Sequence, residues 1–370
     1  MSKLKLYSIF HLNGTYSSIS EEDFLHVMEK VYWPLLDLIQ SSPAKIAIEA
    51  SGYTLEKIQS VDKSWIQTLR GLIEKNRCEF LGTGYAQIIG PLVPSEVNRY
   101  NLRFGNEVYK ELLGFTPSIL YISEQAYSAG MVPHYLEAGY RAMVMEWNNP
   151  ASFHPEWDES WQYFPQVAVG TKSKKIPVIW NHSIAFQKFQ RTVHGEFEIE
   201  DYFDFLAKHL GKENRFFPIY GSDAEVFDFR PGRYKTEALS GKKSEWARMK
   251  LLFKKLDSDS RFEFVFPSQV LSFGKNENAG HLLHLESPEQ PILVKKQEKY
   301  NVSRWALSGR DDLINNTKCY SVYQRLLREE NRENLAEWKE LCFLWSSDFR
   351  THIEGKRYKT FVNRLNKLFK

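Results

Sequence analysis

The sequence predicts an α/β protein in which an incomplete, TIM-like (β/α)7 barrel is followed by a small α-helical C-terminal domain. Short apolar segments alternate with helical segments through residues 1–275. The short segments lack a strict polar–apolar alternation, which is typical of strands buried on both faces of a parallel sheet. No G-x-G-x-x-G follows the first strand and no P-loop occurs, so the nucleotide-binding folds lose their main signature. About seven or eight strand–helix units favour a barrel over an open sheet.

The predicted elements follow one another in a regular order along the barrel region. The first strand spans residues 4–10, and an N-cap with an acidic first turn at residues 20–23 opens the next helix. Pro34 is expected to kink that helix, because proline removes a backbone donor. Further strands are predicted at residues 45–50, 78–81, 118–122, 142–146, 176–180, 216–220 and 262–266, with helices at 65–75, 94–113, 132–138, 199–210 and 246–256.

The alternation of strands and helices then stops. Asn, Gly, Glu, Pro and Lys dominate residues 276–300, as expected of a linker or a long surface crossing. Residues 301–370 are predicted to be mostly helical, with Val322 and Leu326 on one apolar face. We therefore divide the chain into a catalytic barrel over residues 1–275, a crossing segment over 276–300, and a helical domain over 301–370 that packs at the barrel mouth.

Composition narrows the class of partner. The formal net charge of +3 is too small to indicate nucleic acid. No apolar run approaches the roughly 20 residues that span a membrane, and no signal peptide precedes the first strand. Cys78, Cys319 and Cys342 are far apart and odd in number, which suits a reducing compartment. We therefore expect a cytoplasmic protein without nucleic-acid or membrane partners, and the oligomeric state is left open.

Polar and aromatic side chains are expected to gather where the parallel strands end, because those ends form the mouth of a barrel. Glu124 and Asp223 each follow a predicted strand. Glycosidic cleavage requires one carboxyl group to protonate the leaving oxygen and a second to act as nucleophile or as base for water. A single carboxylate at a strand end is more often a helix cap or an ion-pair partner. Other residues expected at or near this rim are His11, Asn13, Glu79, Trp147, His182 and Glu225.

Several stretches of the barrel region resemble glycoside hydrolase family 57, which contains α-amylase-like enzymes, 4-α-glucanotransferases, branching enzymes and α-galactosidases. Residues 78–85 (CEFLGTGY), followed by residues 91–94 (PLVP), are similar to the family's second conserved region. Residues 121–127 (YISEQAY) resemble the third region, and residues 136–141 (LEAGYR) resemble the turn after it. Residues 222–227 (SDAEVF) resemble the fourth region. The stretches occur in the family's order along most of the barrel.

The resemblance implies a retaining reaction on an α-linked glycan, and the lack of a secretion signal favours a glycan inside the cell. By their positions in the matched regions, Glu124 would be the nucleophile and Asp223 the general acid/base. This chemistry requires Glu124 to be ionised while Asp223 holds a proton, so Glu225 and Glu79 are expected to tune the pair. Hydrolysis and transfer would use the same two acids and differ only in whether water or a sugar accepts the glycosyl group.

The matched regions also depart from the family pattern where the sugar would bind. Residues 11–13 (HLN) stand where the family usually has His-Gln-Pro, and residues 85–87 (YAQ) stand where a histidine is frequent. Tyr121 occupies a position that is often Trp. Arg230 and Arg233 could meet an acidic or phosphorylated sugar, or be solvated on a loop.

The helical domain is expected to contribute to the cleft as well. Family members commonly have a helical segment that leans over the mouth, and Ser347-Asp348 resembles a Ser-Asp-Trp element of some members. Trp305 and Asp348 would then close one side of the cleft, with Arg350 as a further candidate; an interdomain interface is the open alternative. The expected substrate-binding residues are His11, Asn13, Glu79, Tyr121, Trp147, Glu225, Arg230, Trp305 and Asp348.

Two other functions remain open. A carbohydrate-binding or regulatory protein could keep the barrel and lose turnover, which the altered first and second regions would fit. A metal-dependent polysaccharide deacetylase has a related barrel but needs an Asp and an H-x-x-x-H pair. No H-x-x-x-H occurs, and the nearest pair, His281 and His284, lies in the crossing segment. We therefore expect no metal and no cofactor.

Overall fold

The computed structural model describes residues 2–16, 18–231, 244–272, 276–294, 302–328, 334–350 and 353–369. Its strands are β1 (Leu4–Leu12), β2 (Ile46–Ala50), β3 (Cys78–Leu81), β4 (Ile119–Tyr121), β5 (Ala142–Glu146), β6 (Gln166–Val169), β7 (Lys175–Asn181), β8 (Arg215–Asp223), β9 (Phe262–Phe264) and β10 (Leu282–Leu283). Its α-helices are α1 (Phe24–Val27), α2 (Trp33–Ser41), α3 (Gly52–Val61), α4 (Lys63–Glu74), α5 (Ser95–Leu113), α6 (Val132–Glu137), α7 (Asn148–Ala151), α8 (Ser183–Val193), α9 (Ile199–Ala207), α10 (Glu245–Asp257), α11 (Pro267–Val270), α12 (Asp312–Arg328), α13 (Leu335–Leu344) and α14 (Gly355–Phe369). Among the helices in these ranges, none is long and apolar enough to cross a membrane.

The strands form two sheets that join at one edge. The first has the order β3-β2-β1-β8, with β9 paired to the start of β1, and the second has the order β10-β6-β7-β5-β4. A parallel bridge between Gly82 and Leu120 connects the sheets beside β3 and β4. Ile9 of the first sheet and Val144 and Ile179 of the second belong to one apolar cluster, so the sheets curl around a shared interior. The predicted α/β class is confirmed, and the seven-stranded barrel stays a prediction.

Two strands depart from the predicted pattern. β6 runs antiparallel to β7, so the strands are not all parallel as the sequence suggested. β10 pairs with β6 and lies inside residues 276–300. Leu293 of the same segment forms an antiparallel bridge with Tyr127. Residues 282–283 and Leu293 of the predicted crossing segment are therefore fixed by backbone pairing to β6 and to Tyr127.

The pairing of β1 with β8 contains a bulge. Tyr7 pairs with Pro218 and Ser8 pairs with Tyr220, so Ile219 is an extra residue in β8. A bulge of this kind changes which residues face each other beyond it. Every pair nearer the carboxyl ends of these two strands lies beyond the bulge, so it sets their register at the mouth.

Local chemistry explains where several helices begin and end. Ser51 caps α3 by accepting from Thr54 N at 3.1 Å, and Gly114 ends α5 in the left-handed conformation with φ of 87°. Pro34 lies in the first turn of α2, where its missing N–H costs little. The helical segment before it, Met28–Tyr32, has wide π-helical turns, which take the place of the predicted kink.

The C-terminal helices share their core with the sheet. The largest apolar cluster combines Leu6 and Ile48 of the strands with Trp338 of α13 and Phe361 of α14. Because these large side chains are buried in one cluster, the C-terminal helices pack directly against the strands and helices of the rest of the chain. The division into a barrel, a crossing segment and a helical domain stays a prediction.

Candidate active site

His11, Glu49 and Asp223 lie side by side on three neighbouring strands. His11 of β1 pairs with Glu49 of β2 on one side and with Asp223 of β8 on the other. Paired residues of neighbouring strands point to the same face, and Tyr7 and Ile9, four and two positions before His11, belong to the interior cluster. The three side chains therefore converge on the interior at the carboxyl ends of their strands.

The His11 ring joins the two acids. Its Nδ1 contacts Glu49 Oε2, and its Nε2 lies 3.9 Å from Asp223 Oδ1. Burial alone would lower the pKa of His11, but the charge and hydrogen bond of Glu49 outweigh it, with help from Asp223 and Glu225, and raise the pKa to about 10. His11 is therefore an imidazolium at neutral pH, between a fully buried carboxylate and one whose side chain is 31% exposed.

A second buried acid stands behind Asp223. Glu225 Oε1 accepts from Tyr32 OH at 2.6 Å and from Asn13 N at 2.7 Å, and Oε2 has no hydrogen-bond partner among the described residues. Burial, and then the charge of Asp223, raise the pKa of Glu225 to about 7. Glu225 therefore holds the loop after β1 to the loop after β8, and it is partly protonated near neutral pH.

Glu124 is presented by an unusual backbone. Glu124 and Gln125 have φ of 52° and 54°, a left-handed conformation that is uncommon for residues other than glycine. Holding a residue there costs roughly 1–3 kcal/mol, and such strain concentrates at functional sites. Ser347 Oγ donates to Glu124 Oε1 at 3.4 Å. The carboxylate is thus aimed by the turn that follows β4 and contacted by the C-terminal part of the chain.

Tyr121 interacts with residues near Asp223 and is affected by the charges of both proposed catalytic acids. Its hydroxyl donates to Gly221 O of β8 at 2.9 Å, and its ring lies parallel to His11 with centroids 6.3 Å apart. Burial raises the pKa of Tyr121, and the carboxylates of Glu49, Asp223 and Glu124 raise it further. The charges of both Asp223 and Glu124 therefore act on the same buried phenol.

Residues 346–348 brace three loops of the mouth, and we call them the brace segment. Asp348 accepts from Asn13 Nδ2 at 2.8 Å and from Thr15 Oγ1 at 2.6 Å, and its third donor is Ser346 Oγ at 2.7 Å. Ser347 N donates to Gln87 O at 2.8 Å, on the loop after β3. Together with the Ser347–Glu124 contact, these bonds fix the ends of β1, β3 and β4 relative to one another.

Glu79 is not at the mouth, contrary to the prediction. It is the second residue of β3, and its Oε2 accepts from Ser268 N at 3.0 Å. Ser268 follows β9, which pairs with the first residues of β1. Glu79 therefore faces the end of the barrel opposite Asp223, and the role of tuning Asp223 falls to nearer groups.

Arg230 already has an anionic partner. Its Nη2 contacts Glu245 Oε1 at the start of α10, and its backbone N donates to Glu225 O at 3.0 Å. The guanidinium is therefore neutralised within the chain, which argues against the predicted contact with an acidic sugar. Arg233 lies outside the described residues.

The remaining predicted residues divide between aromatic packing and capping. Trp147 follows β5 and packs against Trp157 and Trp180 at centroid distances of 5.6 and 5.0 Å. Trp305 is buried with Ile89, Ala126, Val294 and Leu92 behind the loops that carry Glu124, rather than lining a cleft. His182 caps α8 through Nδ1, and burial lowers its pKa to about 3, so it is neutral. Arg350 is buried and donates to Leu344 O and Ser346 O, which supports the brace segment.

Sequence reasoning missed Glu49, the carboxylate that contacts His11. It stands in the apolar strand 46–50 (IAIEA), where a lone acid gives no motif. The available signal was its place one residue before the strand end, since His11 also stands at a strand end. The hydroxyl contact of Ser347 with Glu124 was also missed, because 223 residues separate the two along the chain.

The described residues contain no group of three or more His, Cys, Asp and Glu side chains that could hold a metal ion. Within the His11–Glu49–Asp223 row, the imidazole Nδ1 is occupied by the Glu49 carboxylate. A protonated imidazole has no free lone pair for a metal. The row is therefore suited to proton transfer and charge stabilisation.

The chain was compared with protein families and curated proteins. A sequence model of glycosyl hydrolase family 57 matches residues 9–282. The alpha-amylase of Pyrococcus furiosus is 20% identical over 324 residues, which cover 84% of this chain and 44% of the relative. The 4-alpha-glucanotransferase of Thermococcus kodakarensis is 20% identical over 311 residues, which cover 82% of this chain and 42% of the relative. The chain spans less than half the length of the curated relatives it matches.

Solved structures show the same fold. The crystal structure of 4-alpha-glucanotransferase from Thermococcus litoralis superposes with a TM-score of 0.77 at 16% identity, over 100% of this chain and 59% of that one. The branching enzyme of Pyrococcus horikoshii gives a TM-score of 0.72 at 13% identity, over 98% and 88% of the two chains. At such identities the likeness concerns the fold alone.

Proposed function

The chain belongs to glycosyl hydrolase family 57, and on that premise we propose that it is a retaining α-glycoside hydrolase or α-glycan transferase. We propose further that residues 1–275 form an incomplete (β/α)7 barrel and that a helical domain over residues 301–370 covers its mouth. The relatives named above are an alpha-amylase and glucanotransferases, which suggests an α-linked glucan as the substrate class. Buried, unpaired Cys78, Cys319 and Cys342 support action in the cytoplasm.

The proposed reaction uses two displacements. In the first, the Glu124 carboxylate attacks the anomeric carbon while Asp223 gives its proton to the leaving glycosidic oxygen. In the second, Asp223 takes a proton from water or from a sugar hydroxyl, and that oxygen displaces Glu124. Two inversions at one carbon return the α configuration, and the identity of the acceptor decides between hydrolysis and transfer.

The observation that carries the proposal is that the charges of both carboxylates act on the buried hydroxyl of Tyr121. Asp223 stands at the end of β8, in register with His11. Glu124 stands in the strained turn after β4. Double displacement requires two carboxylates that face one anomeric carbon from separate positions, and we propose these two for that role. Substrate contacts are proposed for residues at or just after the ends of β1, β4, β5 and β8: His11, Asn13, Tyr121, Trp147 and Glu225.

Azide rescue tests the two roles separately. With 4-nitrophenyl α-maltoside as the probe, Glu124→Ala and Asp223→Ala should each lower kcat by at least about 1000-fold. Azide can fill the space of either lost carboxylate. In Glu124→Ala it should attack the substrate directly and give the β-maltosyl azide. In Asp223→Ala it should attack the glycosyl-enzyme and give the α-maltosyl azide.

Glu107→Ala is the matched control, because Glu107 is an exposed acid on α5 that pairs only with Arg103 among the described residues. It should retain the wild-type rate and give no azide product. The same azide anomer from both variants, or wild-type rates in either, would refute the assignment. Wild-type protein that binds maltooligosaccharides in calorimetry but never turns them over would instead support a carbohydrate-binding protein.

A further inference from the structure

We propose that Glu49 is a positioning residue for the acid/base: it holds the His11 ring so that a cationic Nε2–H faces Asp223. The inference rests on the proposed function of Asp223 and deepens it. Nothing in the matched sequence regions pointed to Glu49, which was found only from the register of β1 and β2.

The geometry of Glu49 fits a role in fixing the ring. It is fully buried, and Oε2 contacts His11 Nδ1. Oε1 has no hydrogen-bond partner among the described residues, so His11 is the principal partner of this carboxylate, with a weaker interaction from Gln87. Burial raises the pKa of Glu49, and the charge and hydrogen bond of His11 oppose that rise, so the ionised form of Glu49 depends on a protonated His11. Glu49 thus fixes both the orientation and the charge of the ring.

Every charged group that faces His11 favours its cationic form. Glu49 faces it from β2, Asp223 from the end of β8, and Glu225 from the turn after β8. Tyr121 of β4 supplies a neutral ring lying parallel to the imidazole. Burial acts in the opposite direction and is outweighed. Because three acids surround one cation, the loss of Glu49 should weaken the cation without abolishing it.

The cation has a specific consequence for the reaction. When Asp223 passes its proton to the leaving oxygen, it becomes a carboxylate 3.9 Å from His11 Nε2. The positive charge of His11 stabilises the negative charge that develops on Asp223 as the proton moves to the leaving oxygen. The benefit is largest for sugar leaving groups, which depart only when protonated. It is small for 4-nitrophenolate, which departs as an anion.

The charge state can be measured without substrate. In protein labelled with 13C and 15N at histidine, with His11 assigned by its loss in His11→Asn, the His11 signals should stay those of an imidazolium from pH 5.5 to 9. In Glu49→Gln the midpoint should fall by about 1–3 pH units. His182 and His209, whose pKa values burial lowers to about 3 and about 4, should remain neutral and serve as references in the same spectrum. Glu156→Gln, which removes the exposed partner of His154, should leave His11 unchanged.

Kinetic measurements on two substrates distinguish a positioning role of Glu49 from a purely structural one. Glu49→Gln should lower kcat/KM on maltotetraose by about 100-fold, the scale of general acid catalysis. On 4-nitrophenyl α-maltoside the loss should stay below about 10-fold, and Glu49→Asp should recover part of the maltotetraose rate. Equal losses on both substrates would overturn the proposal.

The two arms of the experiment fail separately. If His11 titrates near its ordinary value of about 6.5 in the wild type, the inference is wrong whatever the activity. If wild-type protein turns over neither substrate while His11 remains cationic, the proposed function fails and the ion pair stands as a structural element. Should Glu49→Gln not fold, the wild-type titration and Glu49→Asp still decide the question.

Discussion

Asp223 and Glu124 are surrounded by different kinds of groups. Around Asp223 stand a cation and two further acids, His11, Glu49 and Glu225, on neighbouring strands or the turn after β8. One contact of Glu124 is with a neutral hydroxyl, Ser347 Oγ, and its backbone is strained. A group that must gain and lose a proton needs charged neighbours that stabilise its ionised form, whereas a nucleophile needs a fixed direction. The groups around Asp223 therefore suit proton transfer, whereas those around Glu124 suit the positioning of a carboxylate.

The brace segment is the structural link between the two sides, and breaking it should have the largest effect. Asp348→Ala removes a buried acceptor from Asn13 Nδ2, Thr15 Oγ1 and Ser346 Oγ, of which Thr15 Oγ1 retains Asn13 Oδ1 at 2.8 Å. The free energy of unfolding should fall by about 3 kcal/mol, measured by urea denaturation. Activity on 4-nitrophenyl α-maltoside should fall by about 100-fold, because both carboxylates lose alignment.

Asp348→Asn is the conservative variant for the brace. It keeps one oxygen acceptor and removes the charge, so its loss of stability should be about half that of Asp348→Ala. A variant lacking the side chain that kept full stability and activity would show that the two sides are aligned without the brace.

Glu225→Gln tests the ionisable side through the pH dependence of stability. The pKa of Glu225 is raised in the folded protein to about 7. A raised pKa means that its contribution to stability is fully present below the unfolded value of about 4.3 and is lost as pH rises toward 7. Gln keeps the acceptor for Tyr32 OH and Asn13 N without the charge, so the variant should lack this loss. Relative to wild type, it should be more stable at pH 8 than at pH 4 by about 3 kcal/mol.

The measurement is urea unfolding of both proteins across that pH range, and the difference between them isolates Glu225 from other titrating groups. Tyr32→Phe is a useful companion, because it removes the 2.6 Å donor but leaves the charge. A constant difference between wild type and Glu225→Gln at every pH would contradict a shifted carboxyl group.

Ser347→Ala tests the neutral side, and a smaller effect is expected. Removing a hydroxyl 3.4 Å from Glu124 Oε1 should lower kcat by about 3–10-fold, since the backbone turn still aims the carboxylate. The pH profile of kcat should keep its shape, because no charge is removed. Ser321→Ala, which removes an exposed hydroxyl bonded to Thr317 O, is the matched control and should leave kcat unchanged. A shifted pH profile in Ser347→Ala would contradict the distinction between the ionisable surroundings of Asp223 and the neutral contact of Glu124.

Glu79→Gln should have the smallest effect of the series. Glu79 is bonded to Ser268 N at the opposite end of the barrel. We expect kcat and its pH profile to stay within about twofold of wild type, measured on the same aryl maltoside. A displaced limb of the profile would restore Glu79 to the role of tuning Asp223 that the sequence suggested.

Local patterns in the sequence predicted much of the fold. The predicted strands 78–81 and 142–146 have the bounds found for β3 and β5, because each is an apolar run closed by a turn or a glycine nearby. β6 and β10 escaped notice, since their short segments become strands only by pairing with each other and with β7. Strands with a clear apolar run could be predicted from the sequence, whereas the pairing between strands could not.

The site shows the same limit. Glu124 and Asp223 were placed at strand ends by apolar runs that stop just before them. The strain at Glu124 could not be foreseen, because glutamate has no preference for positive φ and tertiary contacts must impose it. Glu49 could not be told from an ordinary strand residue, since its partner His11 lies 38 positions away. Chemistry that depends on pairing between distant segments needs coordinates.

The single extra residue in β8 sets the register between β8 and β1. If Ile219 paired with Ser8 instead of forming the bulge, His11 would face Ser222, and Asp223 would stand opposite Leu12 with its carboxylate turned to the helix layer. Deleting Gly221 or Ser222 while the bulge remains would place Asp223 opposite Phe10 and also turn its carboxylate to the helix layer. The position of the proposed proton donor thus depends on the number of residues in this strand. Insertions or deletions in β8 should therefore be far less tolerated than substitutions.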